Sequence, residues 1–548
     1  MSRAAVSQFP PTKPILVEAP VPEPVHRDPL HPALKLQEHP VPDLEKGIVQ
    51  ANEATGIVPS DSQATMVAQE LPDLSKDEDG NEYILVKWDG KDDREHSLKL
   101  NIYYRIYLMV LAGMLTLCTA FASSAPSSLI PQMVFEFKTT PEVVKASVFL
   151  FVGSFAVGPL LWAPLSELIG HRIVFIISFT CFVCFNVGCM LAPNVASMIV
   201  FRILAGASGS SSMSNSPSMI STLVPLKYLT LGLVIFALSP TAGPCLGPTV
   251  GGYISNSGAN WRWIFRVCTI FSFVMLILVI FTMPETMSDQ LLRKKARRLR
   301  AQTGDDRYKA PIEVRRIRTK DILSKTLLKP VKLLFSEPML AVMTIYTSFI
   351  YGVIYLFFVA YPIVFEGLHH FRAGATGLAF LGFFSGAMIG AIYNVLVDQR
   401  LYLRAYIRNN YKPIAPEARL WGTMVGAPLF SAALFWFAWT SFPSVSFWLP
   451  VVAGGLFGFA LFLIFLGLVV YISEVYFQYV ASAMAANTVV RSCFGAGFPM
   501  FGEQMYARLN PRWASCLLAF ISVLMIPIPF VFYKYGPRIR AWSKHAYG

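Results

Sequence analysis

The chain has 548 residues, 54% hydrophobic and only 14% charged, against roughly 25% charged in soluble domains, so it reads as a polytopic membrane protein and not a soluble enzyme. Its net charge of +13 is uneven. Residues 1–103 carry 18 acidic and 10 basic side chains, the remainder 15 and 36. That basic excess falls in short loops between apolar runs and forms no single patch, which argues against a nucleic-acid partner.

The first hundred residues are polar, with ten prolines before position 46 and the run KDEDGNE at 76–82. They predict a largely disordered tail, locally folded at most, and no signal peptide precedes the first apolar run. From there, runs of about 20 apolar residues, enough to cross roughly 30 Å of hydrocarbon, predict twelve spans. Their centres lie near 115, 154, 183, 208, 240, 273, 350, 386, 430, 460, 492 and 523. The expected architecture is all-α, two six-helix bundles at 104–283 and 337–533 joined by a basic linker at 284–336, with a tail of about a hundred residues at 1–103 and a short one at 534–548.

Span 2 ends in GPLLWAPLSELIGHR, 158–172. Here Glu167 stands at a membrane edge, Gly170 permits a tight turn, and His171 and Arg172 supply cations. This cluster is a candidate latch between the two halves. Span 4 follows, with Arg202 in its outer part and the run SGSSSMSNSPS at 208–218, where Ser208, Ser212 and Asn215 share a face. A membrane-embedded cation is a functional candidate by default.

Span 5 contains GPCLGPTVGG, 243–252. Gly243, Gly247 and Gly251 recur every four residues, with Gly252 beside them, and give one flat face for close helix contact. Pro244 and Pro248 each remove a donor and can bend the helix. The flat face is expected against span 8, on its Gly382, Gly386 and Gly390 repeat, as a seal on one side of a cavity.

The linker holds 15 basic and 6 acidic residues, including RKKARRLR at 293–300, which places it and both termini in the cytoplasm. Beyond it, span 7 sets Tyr351, Tyr355 and Phe358 on one stripe, and spans 8 and 11 add Asn394 and Asn487 as further cavity candidates. Asp398 with Arg400 ends span 8 as a counterpart of the first latch, and Glu474 ends span 10. Arg491 lies near the middle of span 11 and should face the cavity or a buried partner. No Asp or Glu falls at the centre of any span, so the group that would carry a coupling proton is not identified by position; the interfacial acids, Glu474 among them, remain.

The eight cysteines all lie in apolar runs, without a metal-ligand cluster or a disulfide pattern. Nothing in the sequence calls for a cofactor or a metal.

Six plus six spans around a basic linker, with SELIGHR after span 2, FRILAGASGS from Phe201, the glycine-proline run of span 5, MPETMSDQ after span 6 and PEARL at 416–420, resemble the major facilitator superfamily, in the form of the fungal twelve-helix drug:proton antiporters. The pattern departs from the superfamily at Ala163, Glu167, Leu168 and His171. The resemblance implies a monomeric secondary transporter in the cell membrane, with a vacuolar membrane the lesser option. It would export amphipathic xenobiotics or secondary metabolites by proton antiport, with Arg202 taking part in coupling. A receptor built on a carrier scaffold and a carrier of organic acids or polyamines are the alternatives.

Overall fold

The computed structural model describes residues 74–76, 82–88, 97–225, 228–314, 330–410, 414–476 and 480–543. Residues 1–73, 77–81 and 89–96 of the tail and part of the linker, 315–329, therefore lie outside the described residues.

Span 1 is Ile102–Ser124, started by Asn101, whose side chain accepts from the Tyr103 N–H. Span 2 is broken into Pro141–Gly153 and Gly158–Ile169, bent by 41°. Proline opens its first piece and follows the opening glycine of the second, where an N–H would be unpaired in any case. Span 3 is His171–Leu191, and span 4 runs through Val195–Gly209 and Ser211–Leu223 after an Asn194 cap. Span 5 is Leu229–Asn256, and span 6 is Arg262–Thr282.

After the linker come span 7, Pro338–Tyr361; span 8, Ala373–Tyr393; span 9, Trp421–Thr440; and span 10, Trp448–Val475. Ten helices are long and apolar enough to cross a bilayer, and the bent pair of span 2 makes an eleventh. The last of the ten, Ser482–Trp542, has 61 residues, about 90 Å of helix and far more than one crossing needs. It is interrupted at Asn510, whose φ of 61° is left-handed, and Pro511 follows. Counted as two spans, 11 and 12, it would bring the number to twelve; the expected centres fall inside these spans, that near 154 at the break of span 2.

Two ends of the molecule are distinguished below: the linker face, where span 6 ends and span 7 begins, and the far face opposite.

Part of the tail is ordered at the linker face. Strands β1, Leu74–Lys76, and β2, Glu82–Leu85, are antiparallel, and β2 pairs in parallel with β3, Tyr308–Lys309, of the linker. Ile84 N–H donates to Arg307 O at 2.8 Å and Val86 N–H to Lys309 O at 3.0 Å. Val86 and Trp88 then cover Leu292, Ala296 and Leu299 on the linker helix Ser288–Thr303. The basic run of that helix is therefore amphipathic, with Lys294 and Arg297 left in solvent and Arg293 and Arg300 turned to Glu313. Burial works against ionising Glu313, but hydrogen bonds from Ala310 N–H and Arg300, with the charges of Arg300 and Arg293, hold its carboxyl below the usual range.

The glycine face of span 5 meets a different partner from the one expected. A Cβ at Gly243 would lie 2.6 Å from Phe121 N, and one at Gly247 2.7 Å from Ala125 N, so this face lies on span 1 within the first half. Gly382, Gly386 and Gly390 instead receive span 10 at Val451, Gly455 and Phe459. Spans 5 and 8 do meet, through a neighbouring set: a Cβ at Gly377 would lie 2.5 Å from Thr249 Cα, one at Gly252 would lie 2.7 Å from Ala373 C, and Thr249 Oγ1 donates to Gly377 O at 2.8 Å. A flat face serves whichever helix lies nearest, and the spacing of the glycines does not name it.

Candidate transport cavity and its two ends

A cavity of about 450 Å³ opens between the halves near the linker face. Its walls come from the linker-side ends of spans 2, 4, 5, 10 and 11, and its polar lining includes Ser166, Glu167, Asn215, Ser218, Glu474 and Thr488 among Met213, Leu233, Val469 and Met484. Mixed hydroxyl, amide and apolar walls suit an amphipathic molecule.

Toward the far face the halves close. Ser123 Oγ of span 1 and Tyr355 OH of span 7 share a hydrogen bond of 3.0 Å, and Tyr355 OH lies 3.4 Å from Tyr351 OH. Phe358, Tyr361 and Phe380 stack beside Pro244 and Cys245 of span 5 and leave only a void of about 10 Å³. Lys145 of span 2 is ion-paired with Glu503 of span 11. Among the described residues this is the one ion pair that joins the two halves.

Of the cavity candidates read from the sequence, Asn215 lines this cavity. Ser212 donates to Thr119 Oγ1 of span 1, and Ser208 to Leu204 O of its own helix, so both hydroxyls are spent away from the cavity. Tyr351, Tyr355 and Phe358 form the far plug. Asn487 Nδ2 donates to Thr347 Oγ1, and Asn394 Nδ2 to Asp398 Oδ2. Short hydroxyl and amide side chains in a membrane helix find the nearest backbone or side-chain acceptor, so sharing a face does not ensure sharing a cavity.

The expected latch is assembled around a residue to which the sequence reading gave no role, Glu285. Its carboxylate accepts from the N–H groups of His171 (3.0 Å) and Arg172 (3.3 Å), and from Thr286 and Met287 (2.9 Å each). A carboxylate at the first turn of span 3 satisfies orphan donors and favours the helix dipole. Gly170, at φ 95°, makes the turn that aims those N–H groups. His171 is fully buried, with Nδ1 3.0 Å from Thr286 Oγ1 and Nε2 3.2 Å from Ser218 Oγ, while Arg172 donates to Ile280 O. These partners belong to the first half or to the first residues of the linker, none to the second half, so His171 and Arg172 latch nothing across the halves in this state. Glu167 faces the cavity. In the second half Arg400 is exposed, and Asp398 keeps to Asn394.

The second half has its own charged base, for which PEARL was the available signal. Arg419 Nη2 lies 2.7 Å from Glu474 Oε1, its guanidinium covers the Tyr402 ring at 3.4 Å, and Nη1 donates to Thr230 Oγ1 of span 5 at 2.8 Å. Glu417, beside it, is 3.0 Å from Arg540 Nε. Glu474 is therefore held in an ion pair at the cavity mouth.

The two arginines embedded in the spans differ in their surroundings. Arg202, 1% exposed, donates to the carbonyls of Ala122, Ser123, Ser147 and Val148 and lies 4.2 Å from the Phe151 ring centroid. It does not reach toward water along the lipid; it ties spans 1, 2 and 4 together. Arg491, 5% exposed, lies 4.8 Å from the Tyr351 ring and 5.3 Å from the Phe465 ring, and its buried Nε has no hydrogen-bond partner.

Comparison with known proteins gives consistent results. The model of the family described as "Major Facilitator Superfamily" matches residues 112–499. "Efflux pump FUBT" of Fusarium oxysporum is 37% identical over 461 residues, 83% of this chain and 76% of that protein. "Major facilitator superfamily multidrug transporter mdrA" of Aspergillus fumigatus is 38% identical over 441 residues, 80% of this chain and 72% of that one. "Citrinin biosynthesis cluster MFS transporter mrr1" of Monascus ruber is 36% identical over 462 residues, 84% and 92%. Among solved structures, the proton:xylose symporter XylE bound to 6-bromo-6-deoxy-D-glucose superposes with a TM-score of 0.58 at 15% identity, covering 79% of this chain and 96% of that one. The human organic anion transporter MFSD10 reaches 0.54 at 14%, covering 78% and 100%. At such identities the structural likeness is one of fold alone.

Proposed function

The chain belongs to the major facilitator superfamily, and on that premise we propose that it exports amphipathic small molecules by alternating access, here in a state open at the linker face. The observation that carries this reading is the cavity itself, open between the halves at one end and closed by the Ser123–Tyr355 bond, the aromatic plug and the Lys145–Glu503 pair at the other. The basic linker supports a cytoplasmic position for the open end, from which an exporter loads; in this reading the chain works as a monomer in the plasma membrane with both termini inside. Matched relatives bear the names of efflux pumps and metabolite-cluster transporters, which favours export over a receptor role.

Proton antiport supplies the energy in this reading. Glu167, in the cavity wall, is the carboxylate placed to exchange a proton with the loaded space, while Arg419 holds Glu474 as a charged pair. The test is a comparison of small molecules inside and outside cells with and without the protein. Export that needs the protein and collapses when a protonophore removes the pH gradient is the expected result. Equal profiles in the two strains would overturn the exporter reading, and export indifferent to the protonophore would overturn proton coupling.

A further inference from the structure

Span 11 presents Met484 and Thr488 to the cavity, four residues apart on one helical stripe, and the next position on that stripe, one turn deeper, is Arg491. Of the two arginines embedded in the spans, Arg202 is committed to four carbonyls, whereas no hydrogen bond or ion pair of Arg491 is found among the described residues. Its surroundings are two ring faces, and aromatic faces compensate a desolvated cation only in part. Buried polar atoms around it are also unmet: Asn487 Oδ1 one turn away, Ser492 Oγ beside it, and Thr344 and Ser348 on the facing span 7. An unpaired charge in such a place is costly and is retained where something binds to it.

We propose that Arg491 is the anion-anchoring group at the apex of the cavity, and that the exported molecule carries a carboxylate or comparable acid which its guanidinium grips, with the apolar body lying against Tyr351, Phe465 and Met484. This rests on the exporter reading and adds the cargo's chemical class. Guanidinium offers a planar fork that matches a carboxylate with two parallel bonds. Both acids of the lining, Glu167 and Glu474, lie toward the mouth, Glu474 in its ion pair with Arg419, and Arg491 lies deeper. An amphipathic acid would therefore enter with its charge leading toward the apex.

The test uses purified full-length protein carrying Ala485→Cys in the cavity wall with the native cysteines replaced, and follows protection of that thiol from alkylation. Probes are 1-naphthoate and its amide, 1-naphthamide, in gluconate buffer. Naphthoate should protect at about ten- to hundredfold lower concentration than naphthamide. Arg491→Gln should remove that difference and leave protection by naphthamide unchanged; Arg491→Lys, the second variant in case the first folds poorly, should retain part of it. Equal protection by acid and amide in the parent, or a preference that survives Arg491→Gln, would overturn the proposal. So would displacement by chloride at concentrations matching naphthoate, since the site would then hold an inorganic ion. Binding is read without transport, so acid that binds but is not moved counts against the exporter reading and not against the anion site.

Discussion

Ser123 Oγ and Tyr355 OH lie 3.0 Å apart, and the same Ser123 gives its carbonyl to Arg202. One residue of span 1 thus joins the buried arginine of the first half to the aromatic plug of the second. Tyr355→Phe deletes the bridge between the halves and keeps the ring. In a chain retaining only Cys245, whose thiol is buried in the plug, alkylation by an impermeant maleimide from the far side should rise about three- to tenfold. An unchanged rate would mean that the hydrogen bond does not hold the far side shut.

The Lys145–Glu503 pair should behave as a lock on the same side. Lys145→Glu and Glu503→Lys should each speed Cys245 labelling about two- to tenfold, with the double reversal returning to within about twofold of the parent. Failure of the reversal to restore slow labelling would show that the charges act separately.

Glu285 should matter more for stability than for cargo. Four backbone N–H groups depend on its carboxylate, so Glu285→Ala should cost about 2–4 kcal/mol. This is read as a lower thermal midpoint in detergent, with span 3 becoming open to hydrogen exchange at residues 171 and 172. A midpoint within a degree of the parent would contradict it.

The closeness of spans 5 and 8 makes Gly377 intolerant. Gly377→Val has to push Thr249 away, so efflux should fall at least about tenfold while surface expression holds. At Gly497, where an added Cβ meets nothing within 4 Å, Gly497→Ala is the matched control and should be near neutral. Similar efflux in the two variants would remove the special role of the seam.

Removing residues 82–88 should uncover Leu292, Ala296 and Ala310. Trypsin should then cut the linker helix at 293–300 about tenfold faster, because local cleavage follows the population of opened helix. Unaltered cleavage would mean that the strand contributes nothing to the helix's protection.

Much of this was legible in the sequence, and the reasons differ by element. The spans were readable because hydrocarbon thickness sets a length that periodicity need not refine, and the centres fell inside the spans, that near 154 at the break of span 2. Arg202 and Arg491 were readable because charge in a membrane is rare, yet nothing in the chain told the carbonyl-bound one from the unpaired one. That distinction depends on which helix ends happen to surround each guanidinium. Glu285 and Arg419 were overlooked because both lie in short polar connections, where a charged side chain needs no special explanation until a folded neighbour is seen against it. Ser208 and Ser212 of span 4 misled for the opposite reason: a shared face was taken for a shared cavity, whereas Ser212 bonds to span 1 and Ser208 to its own helix.

Strand β2 belongs to the tail and β3 to the linker, and they can hydrogen-bond only if both lie in the same aqueous compartment. A chain threaded through the bilayer once too often or too seldom between residues 85 and 308 would leave them on opposite sides. The small sheet is therefore a parity check on the first half: it forms when the number of crossings between its strands is even. Since β3 is made only after the sixth span, the check is completed about midway through synthesis, before the second half has been inserted. Misthreaded molecules would be left with the apolar side of the linker helix bare, which is the kind of surface that quality control in a cell recognises.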